Sequence, residues 1–274
     1  MRIEFTKMSG AGNDFVVVDN RGRKIRNGAR AARVLCDRRW GIGGDGLLLL
    51  QKSRKADYRM MYYNADGSYG GMCGNGGRCI ALYAVLKQIA PKNHKFDALG
   101  HTYEATVRRR KVSLRMKNPK GLMLKKKIRL GKFDLSVAQV NTGSPHVVID
   151  ARSRKPGLSR LAGVDVTGIG SEVRNHRAFR PQGTNVNFIE ASGRNAIRMR
   201  TFERGVEDET LACGTGAIAS AIVASKWWGL KPPVDIITQS GRKLVVDFKS
   251  SDEKIRDVVL AGPAEVIFVG EIEV

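Results

Sequence analysis

The stretch Met72-Cys73-Gly74-Asn75-Gly76-Gly77-Arg78-Cys79 returns in reduced form as Ala212-Cys213-Gly214-Thr215-Gly216-Ala217 in the second half of the chain. In both copies a cysteine precedes Gly-x-Gly and then an apolar run. The first run is Ile80-Ala81-Leu82-Tyr83-Ala84-Val85-Leu86, and the second is Ala217-Ile218-Ala219-Ser220-Ala221-Ile222-Val223-Ala224. A helix that is apolar all round, rather than along one stripe, belongs in the interior of a fold. The repeat therefore predicts two central helices, each with a cysteine at its N-terminal mouth.

That position has chemical consequences. The first N–H groups of a helix have no partner inside it, and the helix dipole adds positive charge there, so the mouth attracts anions and favours a thiolate. Neighbouring glycines let a ligand approach the backbone closely. One such mouth suggests a nucleophile or a phosphate site; two suggest a pair acting on one small anionic substrate. Buried cysteines are common in cores, and a single copy would read that way. The repetition with matching helices is what favours chemistry at Cys73 and Cys213.

A chain of 274 residues, 42% hydrophobic, can bury one large core or two ordinary ones, and the repeat favours two. Met1-Arg2-Ile3-Glu4-Phe5-Thr6-Lys7 carries charge where a signal peptide would be apolar, and no run reaches membrane-spanning length. A soluble, cytoplasmic protein with no membrane partner is expected. Four cysteines are too sparse for a disulfide scaffold, and Cys73-x5-Cys79 has the wrong spacing for a common zinc knuckle, so no metal is expected. The net charge of +22 could mean nucleic acid. Its basic clusters, Lys52-Ser53-Arg54-Lys55, Arg108-Arg109-Arg110-Lys111 and Lys125-Lys126-Lys127, carry no interleaved aromatic residues for base stacking. They read mainly as solvated surface, with nucleic-acid binding a minority reading.

Along the chain, Phe15 to Asp19 reads as a strand after a flexible loop, Ser9 to Asp14. A helix is predicted over Gly28 to Trp40, stopped by Gly41-Ile42-Gly43-Gly44-Asp45-Gly46. Leu47–Leu50 and Tyr58–Tyr63 read as strands, the latter ending in the turn Asn64-Ala65-Asp66-Gly67-Ser68. Thr102–Val107 and Lys111–Met116 form a hairpin with Arg108 to Lys111 at its exposed end. Lys117-Asn118-Pro119-Lys120-Gly121 should break any element, and places a boundary between a first domain, 1–117, and a second, 118–262. Leu135–Asn141, His146–Ile149, Asn185–Ile189 and Ala196–Phe202 follow as strands, with one helix between 151 and 181. Val234–Thr238, Lys243–Phe248, Val258–Ala261 and Ala264–Val269 complete a strand-rich end. The halves run in parallel: Asn13-Asp14-Phe15 matches Asn187-Phe188 or Asn185, and Asn64 matches Glu203. The expected architecture is α+β, two pseudo-symmetric domains, each a mixed sheet wrapped around one apolar helix. The active site is expected where the two helix mouths face each other.

Two thiols on opposite sides of a substrate suit removal of a proton from one face of a carbon and return of a proton to the other. A thiolate is a workable base near neutral pH, its conjugate thiol a matching acid, and the helix N–H groups would bind the substrate carboxylate.

Gly10-Ala11-Gly12-Asn13-Asp14-Phe15, Asn64-Ala65-Asp66-Gly67-Ser68, the Cys73 motif, Gly183-Thr184-Asn185, Phe202-Glu203-Arg204-Gly205 and Leu211-Ala212-Cys213-Gly214-Thr215-Gly216 together resemble the diaminopimelate epimerase family, nearly end to end. The resemblance implies a cofactor-independent epimerase interconverting LL- and meso-diaminopimelate for lysine and peptidoglycan synthesis. It implies Cys73 and Cys213 as the base and acid, assisted by His146 and Glu203. Gly74, Asn75, Gly214 and Thr215 would hold the carboxylate at the reacting centre, and Asn13, Asn64, Asn185 and Arg204 the distal end. It also implies a homodimer, and a last strand, 263–274, that returns to the first domain. Taken alone, His146 reads as a turn histidine, Glu203-Arg204 as a surface ion pair, and the asparagines as turn residues; their joint placement raises them. Cys36 and Cys79 read as structural. Two departures from the family stand out: Ser144 where Asn often precedes Pro-His, and Gly46 where some members carry Gln. They leave open a cysteine-pair racemase acting on another amino acid.

Overall fold

The computed structural model describes residues 2–251 and 254–273. Met1 and Val274, outer limits of the expected first domain and its returning strand, lie outside the described residues. By its contacts the chain forms two compact units, Met1–Arg115 with Ala261–Val274, and Met116–Leu260.

The first unit contains β1 (Arg2–Gly10), β2 (Asn13–Asp19), α1 (Gly28–Leu35), β3 (Gly46–Gln51), β4 (Tyr58–Asn64), α2 (Gly74–Leu86), β5 (Asn93–Ala98), β6 (His101–Arg108) and β7 (Lys111–Arg115). The second contains β8 (Lys120–Leu130), β9 (Phe133–Asn141), β10 (Pro145–Asp150), α3 (Val166–Asn175), β11 (Asn185–Ala191), β12 (Ala196–Glu203), β13 (Asp208–Thr210), α4 (Gly214–Trp228), β14 (Val234–Ile237) and β15 (Lys243–Ser251). β16 (Lys254–Pro263) leads back to the first unit, where β17 (Glu265–Glu273) pairs antiparallel with β1.

The two units repeat one topology. In the first, β1 is antiparallel to β2, β2 parallel to β3 and β3 antiparallel to β4. β5 then lies parallel to β4 and antiparallel to β6. In the second, β9, β10, β11, β12, β14 and β15 pair in the same order and senses. β8 flanks β9 as β17 flanks β1. β2 and β3 read as nearly unbroken apolar runs because both faces are buried. Val16, Val18, Leu47 and Leu49 pack with Ala32 and Leu35 of α1, while Leu48, on the other face, meets Gly76 of α2. In the second unit Val147, Ile149, Val186 and Phe188 pack with Val166 and Val173 of α3. α2 and α4 are buried along almost their whole length, and α4 stops at Gly229 in the left-handed region (φ 71°).

Register corrects the expected match between halves. Phe15 lies opposite Gly46, and Gly46 opposite Asn64. In the second unit His146 lies opposite Asn185, and the ladder joining Val186 to Phe202 carries Asn185 one step on to Glu203. Asn64 thus does match Glu203, but Asn13-Asp14-Phe15 matches Ser144-Pro145-His146 and not Asn185 or Asn187.

Other expectations also change. The loop Ser9–Asp14 is a tight hairpin turn, with Ala11 and Gly12 at φ 68° and 101° joining β1 to β2. The helix expected to Trp40 ends at Leu35, because the Asp37 carboxylate accepts the N–H groups of Arg39 and Trp40 and turns the chain. Lys120 and Gly121 do not break the chain but open β8. Residues 151–181 hold α3 with a short 3-10 turn on either side.

Candidate active site

Cys73 and Cys213 are the N-cap residues of α2 and α4. Each sulfur accepts the N–H three residues on, Gly76 at 3.5 Å and Gly216 at 3.4 Å. A serine or asparagine usually supplies this cap. A sulfur there sits against the positive end of its helix, where its thiolate is favoured. At Cys36 and Cys79, neither of which caps a helix N-terminus, burial pushes each thiol up to about 12.

Around Cys213 the second unit builds a chain of hydrogen bonds. The sulfur lies 3.6 Å from Thr215 Oγ1, which lies 2.9 Å from His146 Nε2. Asn187 Nδ2 points at His146 Nδ1 (3.1 Å) while also donating to the Val147 carbonyl, and Asn187 Oδ1 accepts from Thr201. Nδ1 is therefore the acceptor, and the proton of the neutral ring is on Nε2, facing Thr215 and Ser144. Full burial, with Arg204 adding to it, pulls the His146 pKa down to about 3, so the ring is neutral at physiological pH. It is not a turn histidine bonded to backbone: it sits inside β10 and touches Cys213 through Thr215.

Around Cys73 the partner is Asn13. Its Oδ1 faces the Cys73 sulfur at 3.8 Å and accepts from Asn75 Nδ2 at 3.4 Å, while its own amide donates to Asp45. Asp45 belongs to an ion cluster in which Arg38 binds Asp14 and Asp45 at 2.8 Å each, and Lys7 binds Asp14 at 2.6 Å. Burial alone would raise the Asp14 carboxyl, but hydrogen bonds and charge from Arg38 and Lys7 hold it at about 2. The cluster fixes which way the Asn13 amide points.

The remaining expected residues divide. Asn185, buried beside His146, spends both sides of its amide internally: Nδ2 on Ser144 and the Pro145 carbonyl, Oδ1 on the Arg204 N–H. Arg204 forms no ion pair with Glu203; its guanidinium contacts the Gln182 carbonyl at 3.1 Å. Glu203 accepts from Thr210. Asn64 serves the turn after β4, bonding Ser68. Gly74, Asn75, Gly214 and Thr215 form the first turns of the two helices.

Both departures lie in crowded surroundings. The Ser144 hydroxyl lies among His146, Thr215 and Asn185. A Cβ on Gly46 would come within 2.5 Å of the Tyr62 ring. Residues that sequence reading missed are Asn187, Thr201 and the ion cluster around Asp14. Asn187 carried a signal, a polar residue in a strand otherwise buried on both faces.

A sequence model of the diaminopimelate epimerase family matches residues 5–120 and 138–267. The diaminopimelate epimerase of Chlorobaculum tepidum is 42% identical over 269 residues, 97% of this chain and 99% of that protein. That of Aquifex aeolicus is 35% identical over 283 residues, 98% of each. Among solved structures, a Bacillus anthracis phenazine biosynthesis protein of the PhzF family matches with a TM-score of 0.76 at 14% identity, covering 100% of both chains. A probable proline racemase from Agrobacterium radiobacter matches at 0.72 and 15% identity, covering 99% of this chain and 93% of that one. At such identities the likeness is one of fold: mixed α+β, built from two repeated domains.

Proposed function

The chain belongs to the diaminopimelate epimerase family, and from that premise we propose that it interconverts LL- and meso-diaminopimelate by passing protons through Cys73 and Cys213. It is an isomerase by that membership. In each turnover one sulfur, as thiolate, takes the proton from Cα and becomes a thiol. The other, as thiol, delivers its proton to the opposite face and becomes a thiolate. The reverse reaction starts from that state, so the pair works in both directions without a cofactor.

First-turn N–H groups at Gly74, Asn75, Gly214 and Thr215 would hold the reacting carboxylate and take up the charge that develops as the proton leaves. Asn13, Asn64 and Asn185 would line the distal end, and Arg204 would bind its carboxylate with the donors that Gln182 leaves unused. His146, through Thr215, would hold the Cys213 proton in place, with Glu203 as a second assisting group. The product would feed lysine and peptidoglycan synthesis. A homodimer is proposed as well, on the exposed apolar row Val266, Ile267, Phe268 and Val269 of β17.

The observation that carries the reading is the thiol-capped apolar helix, built twice in a chain that the family matches nearly end to end. Cys73→Ala and Cys213→Ala are each expected to lower LL-to-meso conversion by about a thousandfold or more, measured by chiral chromatography. Retention of a tenth of the rate in either variant would defeat the two-thiol mechanism. A second reading, the same chemistry on another amino acid, draws on Ser144 and Gly46, the two residues that depart from the family's pattern; a panel of amino acids under the same assay separates the two.

A further inference from the structure

Arg78 lies in α2, five residues after Cys73, and is fully buried. Its guanidinium donates to four oxygens: Nη1 to the Gly74 carbonyl (3.3 Å), Nη2 to Asn75 Oδ1 (3.0 Å) and the Gly10 carbonyl (3.3 Å), and Nε to the Pro263 carbonyl (3.3 Å). All four acceptors are neutral. Among the described residues no carboxylate is within ion-pair distance of it, Glu265 included. A cation taken out of water in this way needs an anion nearby.

Two acidic groups lie in its field, Cys79 and Cys73. Cys79, pushed up to about 12 by burial, is a thiol at neutral pH. Cys73 is left as the group that can carry the compensating charge. The charges beyond Asn13 do not change this, because Lys7 and Arg38 are already matched by Asp14 and Asp45.

The second unit lacks this device. Five residues after Cys213 the chain has Ile218, fully buried and apolar. His146, which reaches Cys213 through Thr215, is neutral, and the Arg204 whose charge acts on that ring is partly exposed. The two helix mouths are alike in backbone, and of the two helices α2 alone carries an arginine.

We propose that Arg78 is the positioning residue that distributes the protons at rest: its buried guanidinium keeps Cys73 as the thiolate and leaves Cys213 as the thiol. Cys73 then takes the Cα proton in the first turnover and Cys213 returns one from its S–H, which exchanges their states. This assignment rests on the two-thiol reading above and says which partner starts as base.

Alkylation by iodoacetamide across pH 5 to 10, with each cysteine followed by peptide mass spectrometry, tests it. The midpoint in pH reports the thiolate and does not depend on how exposed each sulfur is. The Cys73 midpoint is expected about two units or more below that of Cys213, and Arg78→Met is expected to raise it by about one unit or more, leaving Cys213 unmoved. Arg78→Lys keeps the charge and is expected to keep most of the difference. If the methionine variant does not fold, Arg78→Gln removes the charge while keeping hydrogen-bond donors, and the same rise at Cys73 is expected. Equal midpoints in the unaltered enzyme, a lower midpoint at Cys213, or no change on removing the charge would overturn the assignment. Conversion of LL-diaminopimelate is assayed on the same samples: epimerisation with equal midpoints sinks the role of Arg78 alone, whereas no epimerisation sinks the functional reading.

Discussion

His146 shows how a single residue couples the site to the stability of the fold. The ring is neutral when buried and takes up a proton near pH 6.5 once the chain unfolds, so the unfolded state binds more protons in acid. Its contribution is complete above about pH 6.5 and is lost at about 1.4 kcal/mol per pH unit as the pH falls toward the folded value of about 3. Urea unfolding between pH 7 and 4 should show this slope, and His146→Gln should flatten it; an unchanged slope would mean the ring is not buried neutral. Asp14 acts in a lower window, since its depressed pKa matters only below about pH 4. At this scale the sequence disclosed the cysteines, because the repeated Cys-Gly-x-Gly marks them twice. It did not disclose Arg78. An arginine at the start of an apolar run reads as a surface residue, and only the folded chain brings Gly10 and Pro263 to it.

Elements were legible where hydrophobic pattern alone decides them, and misread where a side chain closes a turn. α2 and α4 followed from composition, whereas α1 was read too long because its periodicity continues past the turn made by Asp37. β1 and β5 went unread for another reason: charged Glu4, Lys7 and Lys95 interrupt their apolar residues. The two helix mouths also differ in tolerance. A Cβ on Gly216 would lie 2.3 Å from Asn187 Oδ1, which is held by Thr201 behind it, whereas one on Gly76 would meet a Leu48 methyl at 3.1 Å. Gly216→Ala is expected to cost about 1–3 kcal/mol in thermal unfolding, and Gly76→Ala clearly less. Equal costs would show that Asn187 gives way.

For the whole molecule, the two-domain α+β plan was readable because one motif occurs twice, each time ahead of a helix with no polar face. Matching the halves residue by residue failed because it followed the asparagines, while the sheet registers follow Phe15 and His146. The net charge of +22 finds no role in the reaction. Among the described residues no helix is long and apolar enough to cross a membrane. As proposed above, this chain would move a proton on and off the α-carbon of diaminopimelate through two thiols. Proton NMR of LL-diaminopimelate in deuterated water, with reductant and no added cofactor, tests it most directly. Deuterium is expected to enter one α-centre as the meso isomer appears, and neither change is expected with Cys73→Ala or Cys213→Ala. Exchange with another amino acid but none with diaminopimelate would contradict the substrate, and exchange that survives loss of either cysteine would contradict the mechanism.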